Sequence, residues 1–195
     1  MSDRLVGSEM CIRDSNLGAL FAAVMTLALT ACEEQTITAA PDALSLPDDA
    51  IGHFCGMIVK NHDGPKGQVF VEGQEGPRWF TSVRDALAYT RLPEETAAIS
   101  AIYVSDMGNA ESWSQPGDKA WIRGKDAYFV LGSSKKGGMG AAEAVPFSSE
   151  HAALTFAHQF GGQVMRLNDI PTDQLLGSDP DLENTNHGNH VHEPS

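Results

Sequence analysis

The chain has 195 residues, of which 42% are hydrophobic, and a formal net charge of −13 at pH 7. This length fits one ordinary domain, or two very small ones, with flanking segments. The strong negative charge excludes nucleic-acid binding, because a phosphate backbone would be repelled, and is compatible with a partner protein or a cationic ligand.

The N-terminal region reads as a targeting segment rather than as part of a fold. Residues 1–15 resemble a translated sequencing adapter and are treated as an artefact. Residues 16–31 are apolar and uncharged, too short a run for a transmembrane helix of about 20 residues, and indicate a signal peptide. The run ends in Leu-Thr-Ala-Cys, similar to a lipobox in which Cys32 is lipidated; an ordinary signal peptide with a chance cysteine is the alternative. Residues 32–48 are predicted to be a flexible tether.

The cysteine count singles out one residue. Of the three cysteines, Cys11 lies in the suspected artefact and Cys32 in the lipobox, so Cys55 is left unpaired. Exported proteins usually pair their cysteines in disulfides, and a single leftover thiol indicates a reactive or metal-ligating group. A buried, inert thiol is the alternative.

The segment around Cys55 predicts a pair of sulfur ligands. If residues 53–59 form a strand, Cys55 and Met57 face the same side, with Gly56 between them reducing bulk on the other. A thiolate with a thioether is a soft donor set that selects copper(I), whereas zinc prefers several Cys or His ligands. The alternative is that Met57 belongs to the core and Cys55 is merely its neighbour.

An internal repeat predicts the architecture. Residues 78–89 align without gaps with residues 145–156: each segment has a Phe, two hydroxyl residues typical of a helix N-cap, and apolar residues at helical spacing. With the flanking strand-like runs, this predicts an α+β fold of two β-β-α-β units, residues 49–107 and 108–172. The predicted strands are residues 53–59, 68–72, 99–104, 127–131, 141–145 and 163–167, with 68–72 extending in one version towards Phe80.

The C-terminal residues 173–195 are polar and predict a disordered tail. They include His187, His190 and His192, a spacing typical either of weak metal binding or of a solvated tail.

A family resemblance rests on the motif around Cys55. Cys55-Gly56-Met57, then His62, then the GPKGQ segment at residues 64–68, resembles the signature of the nitrous oxide reductase accessory lipoprotein (NosL) family. The resemblance covers residues 52–170. Further matching motifs, in the same order, are Trp79-Phe80, Arg84-Asp85-Ala86, Tyr103-Val104-Ser105-Asp106, Trp121, Gly137–Ala141, and Pro146-Phe147 followed by Ala152.

The resemblance implies a copper(I) metallochaperone rather than an enzyme. It implies a lipid-anchored protein of the periplasm, with the outer membrane as the expected anchor site and no nucleic-acid partner. The implied role is delivery of copper for assembly of the copper centre of nitrous oxide reductase. The expected partners are that reductase or its membrane-bound maturation transporter complex, and the copper donor is left open.

The resemblance carries the ligand role directly to Cys55 and Met57. Met139, in a glycine-rich loop of the second unit, is a candidate third ligand that could swing onto the metal; alternatively it plugs the domain interface. His62, beside a Gly-Pro turn, is a candidate imidazole ligand or else an exposed loop residue. Lys66 either stabilises the Cys55 thiolate or points into water.

Three other functions compete with copper delivery. A blue-copper electron carrier needs two His with one Cys and an axial Met, and the His residues are poorly placed for it. A lipoprotein with a Cys-dependent enzyme activity needs a base such as His62 or His151 near Cys55. The third alternative is a scaffold without copper.

Overall fold

The computed structural model describes residues 40–117 and 120–177. The suspected artefact, the signal peptide, the lipidation candidate Cys32 and the three tail histidines lie outside the described residues. Within these two ranges, no helix combines the length and the apolar character needed to cross a membrane.

The first sheet has four antiparallel strands in the order β2-β1-β3-β4. Every residue of the central strand β1 is buried, which requires that both faces of the sheet are covered at this strand. The strands are β1 (Gly67–Val71), β2 (Pro77–Phe80), β3 (Ile99–Ser105) and β4 (Trp121–Arg123), and helix α1 (Val83–Tyr89) connects β2 to β3.

The second sheet repeats this arrangement with three antiparallel strands in the order β6-β5-β7. Its elements are β5 (Tyr128–Leu131), β6 (Val145–Phe147), helix α2 (Glu150–Phe160) and β7 (Gln163–Arg166). Phe80 and Phe147, aligned in the sequence repeat, each end the second strand of their unit. The predicted α+β fold of two β-β-α-β units is therefore confirmed.

The predicted strand at residues 53–59 is wrong. Gly56 has φ 66°, a left-handed conformation that turns the chain back on itself, and the Gly56 amide donates to the Gly52 carbonyl at 2.9 Å. Strand pairing at this place is limited to one antiparallel bridge between Ile51 and Ile58 and one parallel bridge between Gly52 and Trp79. The first strand of the first unit is instead β1.

The strand predicted at residues 141–145 begins only at Val145, because Ala142 pairs with Lys136 in a separate hairpin. Strand β4 also differs from expectation. It pairs with β3, so the first sheet extends beyond residue 107, where the sequence placed the end of the first unit.

Both flanking segments are more ordered than the sequence predicted. Part of the predicted tether packs on the first sheet: Gln68 exchanges two hydrogen bonds with the backbone of Leu44, at 2.9 and 3.1 Å. Leu46 is buried against Val59 in a small apolar cluster. At the other end, residues 173–176 belong to helix α3 (Thr172–Leu176) rather than to a disordered tail, because Leu175 is buried in the main core.

The main core joins both units. Val83, Leu87 and Val104 of the first unit pack in one cluster with Phe129 and Leu131 of the second. Burial of this apolar surface stabilises the two sheets together, so loops of the second unit hold a defined position beside those of the first.

Candidate metal site

Cys55 lies in a tight turn formed by residues 52–57, here called the CGM turn. The Gly52 amide donates to the Met57 carbonyl at 2.8 Å, which closes the turn. The His53 amide donates to the Trp79 carbonyl at 2.7 Å and attaches the turn to β2. The backbone thus fixes the position of Cys55 in a turn that is flanked by the isolated bridges between Ile51 and Ile58 and between Gly52 and Trp79.

The Cys55 thiol is free and half-buried. Its sulfur lies 3.8 Å from the hydroxyl oxygen of Thr81, within hydrogen-bond range for sulfur. A Cβ atom added to Gly52 would lie 2.6 Å from this sulfur, so only glycine leaves room for the thiol. The prediction of an available thiol is compatible with this placement, and Thr81 is a neighbour that the sequence did not reveal.

Met57 is 40% exposed, which contradicts the alternative that it belongs to the core. It is part of an exposed apolar surface around the CGM turn, whose other members are Ile51, Phe54 and Ile58. The thioether is therefore accessible from solvent, although strand alternation, the reason given for its orientation, does not apply.

Met139 lies at the tip of a hairpin formed by residues 136–142, here called the Met139 hairpin. The Gly137 amide donates to the Ala141 carbonyl at 2.9 Å, and the Gly140 amide donates to the Gly137 carbonyl at 2.8 Å. Met139 is 51% exposed, so it does not plug the interface between the units. These two hydrogen bonds close the loop into a hairpin, and the movement of Met139 onto a metal stays a prediction.

His62 packs against the Met139 hairpin. It follows a short 3₁₀ helix, Val59–Asn61, and its Nδ1 lies 3.4 Å from the Gly138 carbonyl oxygen. A Cβ atom at Gly138 would lie 2.5 Å from the His62 Cβ and 2.8 Å from the Asp63 carbonyl oxygen. The two segments are therefore too close together for a side chain at position 138. The structure thus brings His62 next to the turn that carries Met139.

Lys66 connects residues 62 and 63 with Thr81, the residue that contacts the Cys55 sulfur. Its ammonium donates to the carbonyls of His62, of Asp63 at 3.0 Å and of Thr81 at 3.5 Å. Only 3% of Lys66 is exposed, and burial lowers its pKa to about 8, a decrease limited by the charges of Glu143 and Asp63. The alternative that the Lys66 ammonium points into water is wrong. Electrostatic stabilisation of the Cys55 thiolate by Lys66 stays a prediction.

Glu143 is a buried carboxylate that the sequence analysis missed. Its Oε1 accepts hydrogen bonds from the Ser82 hydroxyl at 3.2 Å, the Arg84 amide at 2.8 Å and the Ala144 amide at 2.9 Å. Burial raises the pKa of Glu143 to about 7, against the opposing effect of these hydrogen bonds. One signal was present in the sequence: a single charged residue in the run Ala-Ala-Glu-Ala-Val.

His53 is near the CGM turn but already has a partner. Arg78 Nη1 donates to His53 Nε2 at 2.9 Å, and the ring packs edge-on against Phe80 and Tyr89. Burial and the Arg78 charge lower the pKa of His53, against the opposing effect of Glu95.

Comparison with known proteins identifies the family. The NosL family model matches residues 43–175, a range that contains Cys55, Met57, His62 and Met139. The copper-binding lipoprotein NosL of Achromobacter cycloclastes is 46% identical over 167 residues, which cover 83% of this chain and 86% of that protein. The chain belongs to the NosL family. A second NosL, the copper-binding lipoprotein of Stutzerimonas stutzeri, is 36% identical over 160 residues, or 82% of this chain and 81% of that protein.

A solved NosL structure has the same fold. The crystal structure of the copper chaperone NosL from Shewanella denitrificans is 32% identical and superimposes with a TM-score of 0.63, covering 66% of this chain and 95% of that one. The family resemblance inferred from the CGM motif is thereby confirmed. Within residues 40–117 and 120–177, no three His, Cys, Asp or Glu side chains form a metal-binding group.

Proposed function

We propose that this NosL-family chain binds one copper(I) ion through Cys55 and Met57 and passes it to another protein, without catalysing a reaction. The observation that carries the proposal is a free, half-buried thiol in a turn whose second sulfur residue, Met57, is 40% exposed. Thiolate and thioether sulfurs are soft ligands that select copper(I). The relatives' names, copper-binding lipoprotein and copper chaperone, support this choice of metal.

The exposure of the sulfur ligands suits transfer. Copper(I) accepts two or three ligands, so a site with few protein donors leaves room for an incoming ligand from a partner. Met57 lies on the CGM turn and Met139 at the tip of a hairpin, so both thioethers are reached from solvent. A closed cage of four ligands, as in structural zinc sites, would hold the ion too securely for exchange.

Met139 and His62 are proposed to complete the site. His62 contacts the Met139 hairpin through Gly138, and Lys66 connects the His62 carbonyl to that of Thr81, whose hydroxyl contacts Cys55. These contacts connect the three segments that carry the four candidate ligands.

The destination of the copper and the location of the protein extend the proposal. The expected acceptor is nitrous oxide reductase or its membrane-bound maturation transporter complex. The expected location is the periplasm, with a lipid on Cys32 as the anchor in the outer membrane. The lipobox-like sequence at residues 29–32 and the relatives' description as lipoproteins support the anchor.

A nucleophilic-cysteine enzyme is less well supported by the geometry. An activated thiol needs a base within about 2.6–3.2 Å. The hydrogen-bond partner of the Cys55 sulfur is the Thr81 hydroxyl, while His62 contacts Gly138 and His53 contacts Arg78.

The proposal is tested by titrating residues 33–195 with copper(I) under anaerobic conditions, in competition with a chromogenic copper(I) chelator. We expect about one tightly bound ion per chain, in line with the soft donor pair, and loss of tight binding in Cys55→Ser. Met165→Leu, in β7 of the second unit, is the control and should bind like the wild type. Full binding by Cys55→Ser would refute the proposal. Delivery is tested by mixing the loaded protein with copper-free nitrous oxide reductase and its maturation complex and measuring copper transfer.

A further inference from the structure

We propose that Glu143 is a positioning residue that holds the Met139 hairpin against the start of α1. The start of α1 lies next to Thr81, the residue that contacts the Cys55 sulfur. The inference rests on the proposed function, in which the Met139 thioether binds copper. It concerns a residue that contacts no candidate ligand and acts through the backbone of the hairpin.

The hydrogen bonds of Glu143 connect the second unit to the first. Glu143 directly follows the Met139 hairpin in the second unit, whereas two of the three donors to its Oε1 belong to the first unit. These donors are the Ser82 hydroxyl and the Arg84 amide, 61 and 59 residues away in the chain. Ser82 directly follows Thr81, the residue that contacts the Cys55 sulfur. One oxygen of the Glu143 carboxylate therefore attaches the end of the Met139 hairpin to the start of α1, next to the residue that contacts the CGM turn.

The other carboxylate oxygen of Glu143 lies against the hairpin backbone. Glu143 Oε2 is buried and has no hydrogen-bond partner among the described residues. A Cβ atom on Gly137 would lie 2.6 Å from this oxygen, so the hairpin backbone rests directly on the carboxylate. Gly137 also lies close to Gly64: a Cβ atom on Gly64 would lie 3.5 Å from the Gly137 Cα. The hairpin thus packs against both Glu143 and the turn that follows His62.

Helix capping alone does not require Glu143. The Ser82 side chain already accepts a hydrogen bond from the Asp85 amide at 3.3 Å, as an N-cap residue does. Burying a carboxyl group with one unpaired oxygen is costly, so its presence calls for a further role. In the repeated unit, α2 begins with an exposed Glu150, and its N-cap Ser149 makes no side-chain cap bond. Of the two repeated helices, α1 begins beside Cys55 and has the buried Glu143 carboxylate at its start, whereas the glutamate at the start of α2 is exposed.

The copper test compares Glu143→Ala and Met139→Ala, alone and combined, in the chelator competition with residues 33–195. We expect Glu143→Ala to weaken copper(I) binding about tenfold, the usual scale for residues that orient metal ligands, with no further loss when Met139→Ala is already present. Glu143→Gln should bind like the wild type, because its amide oxygen can accept the same hydrogen bonds. Glu150→Ala, at the start of α2, is the matched control and should have no effect.

A second measurement needs no copper. Hydrogen exchange at the Gly137 and Gly140 amides should be faster in metal-free Glu143→Ala and unchanged in Glu143→Gln and Glu150→Ala. If Glu143→Ala lowered copper(I) affinity equally with and without Met139, the loss would reflect general destabilisation and would overturn the proposal. Unchanged hydrogen exchange in Glu143→Ala would also overturn it. A wild-type chain that binds no copper(I) would overturn the proposed function and the copper role of Glu143. The exchange result would then decide separately whether Glu143 holds the hairpin.

Discussion

The sulfur of Cys55 lies 3.8 Å from the hydroxyl of Thr81, the residue that directly precedes the N-cap of α1. Thr81 thus contacts the CGM turn through its side chain. Its backbone carbonyl also accepts a hydrogen bond from the buried Lys66. The next residue, Ser82, donates to Glu143 of the second unit. Two consecutive residues at the start of one helix thus contact three segments that carry or support candidate ligands.

Gly52→Ala is expected to weaken copper binding. The new methyl group would lie 2.6 Å from the Cys55 sulfur, so the thiol must leave its position beside Thr81. We expect an affinity loss of about tenfold in the chelator competition, since displaced ligands and lost orientation typically have effects of this size. Unfolding measured in parallel by circular dichroism separates this loss from destabilisation. Copper affinity equal to that of the wild type would show that the thiol need not occupy this position.

Lys66→Met is expected to destabilise the fold. It removes the donor to the carbonyls of His62, Asp63 and Thr81. Thr81 is buried, and a buried acceptor left without a partner costs about 1–3 kcal/mol, so we expect the free energy of unfolding to fall by an amount of this order in urea titrations. Lys125→Met, at an exposed lysine, is the control and should change stability little. A Lys66 variant as stable as this control would contradict the proposed link.

Glu143 is expected to make stability depend on pH. In the unfolded chain its carboxyl group loses a proton near the ordinary value of 4.5, whereas in the folded protein its pKa is raised to about 7 by burial. Between these values the folded state binds more protons, so the contribution of Glu143 to stability is largest below pH 4.5 and falls as the pH rises to 7. The shift corresponds to at most about 3 kcal/mol.

The measurement for this prediction is the difference between the wild type and Glu143→Gln in urea unfolding at pH 5 and at pH 7.5. The wild type should lose more stability over this interval than the variant. The charged groups that act on Glu143 are Lys66, which remains protonated below its pKa of about 8, and Asp85, whose charge raises the pKa of Glu143 further. Parallel pH profiles for the two proteins would contradict the prediction.

Met139→Ala should separate copper binding from stability. The side chain is 51% exposed, so its removal should change the free energy of unfolding by no more than about 0.5 kcal/mol while lowering copper(I) affinity. Met165→Ala is the opposite control, because Met165 packs against the main core. That variant should be destabilised and retain its copper affinity when folded. Unchanged affinity in Met139→Ala would remove Met139 from the ligand set.

The exposed apolar surface around the CGM turn is expected to affect transfer rather than affinity. Ile51→Ser removes an apolar side chain that is 53% exposed and has no sulfur or nitrogen ligand to offer. It should slow copper transfer to the reductase and its maturation complex and leave the chelator competition unchanged. Leu154→Ser, at a leucine that is 54% exposed on α2, is the matched control. Equal transfer rates for both variants would show that this surface does not dock the acceptor.

Local patterns were sufficient for most of the fold. The hydroxyl residues before each helix and the helical spacing after them predicted α1 and α2, and the runs at residues 68–72, 99–104, 127–131 and 163–167 overlap β1, β3, β5 and β7. Residues 53–59 were predicted wrongly because a short apolar run suggests a strand whether or not a partner strand is available. A strand needs a partner for its hydrogen bonds, and the left-handed Gly56 prevents continuous pairing here.

The sequence by itself determined the candidate donors and the family: Cys55, a thioether two residues later, and a motif order that marks the NosL family. Only the tertiary structure decided what supports these donors. Lys66 contacts Thr81, which is 15 residues away in the sequence, and Glu143 contacts Ser82, which is 61 residues away. At such sequence separations, no periodicity or spacing rule predicts that two residues are in contact. The physical reason is that a shared core brings the two units together, and buried polar groups then take the partners that packing places within reach.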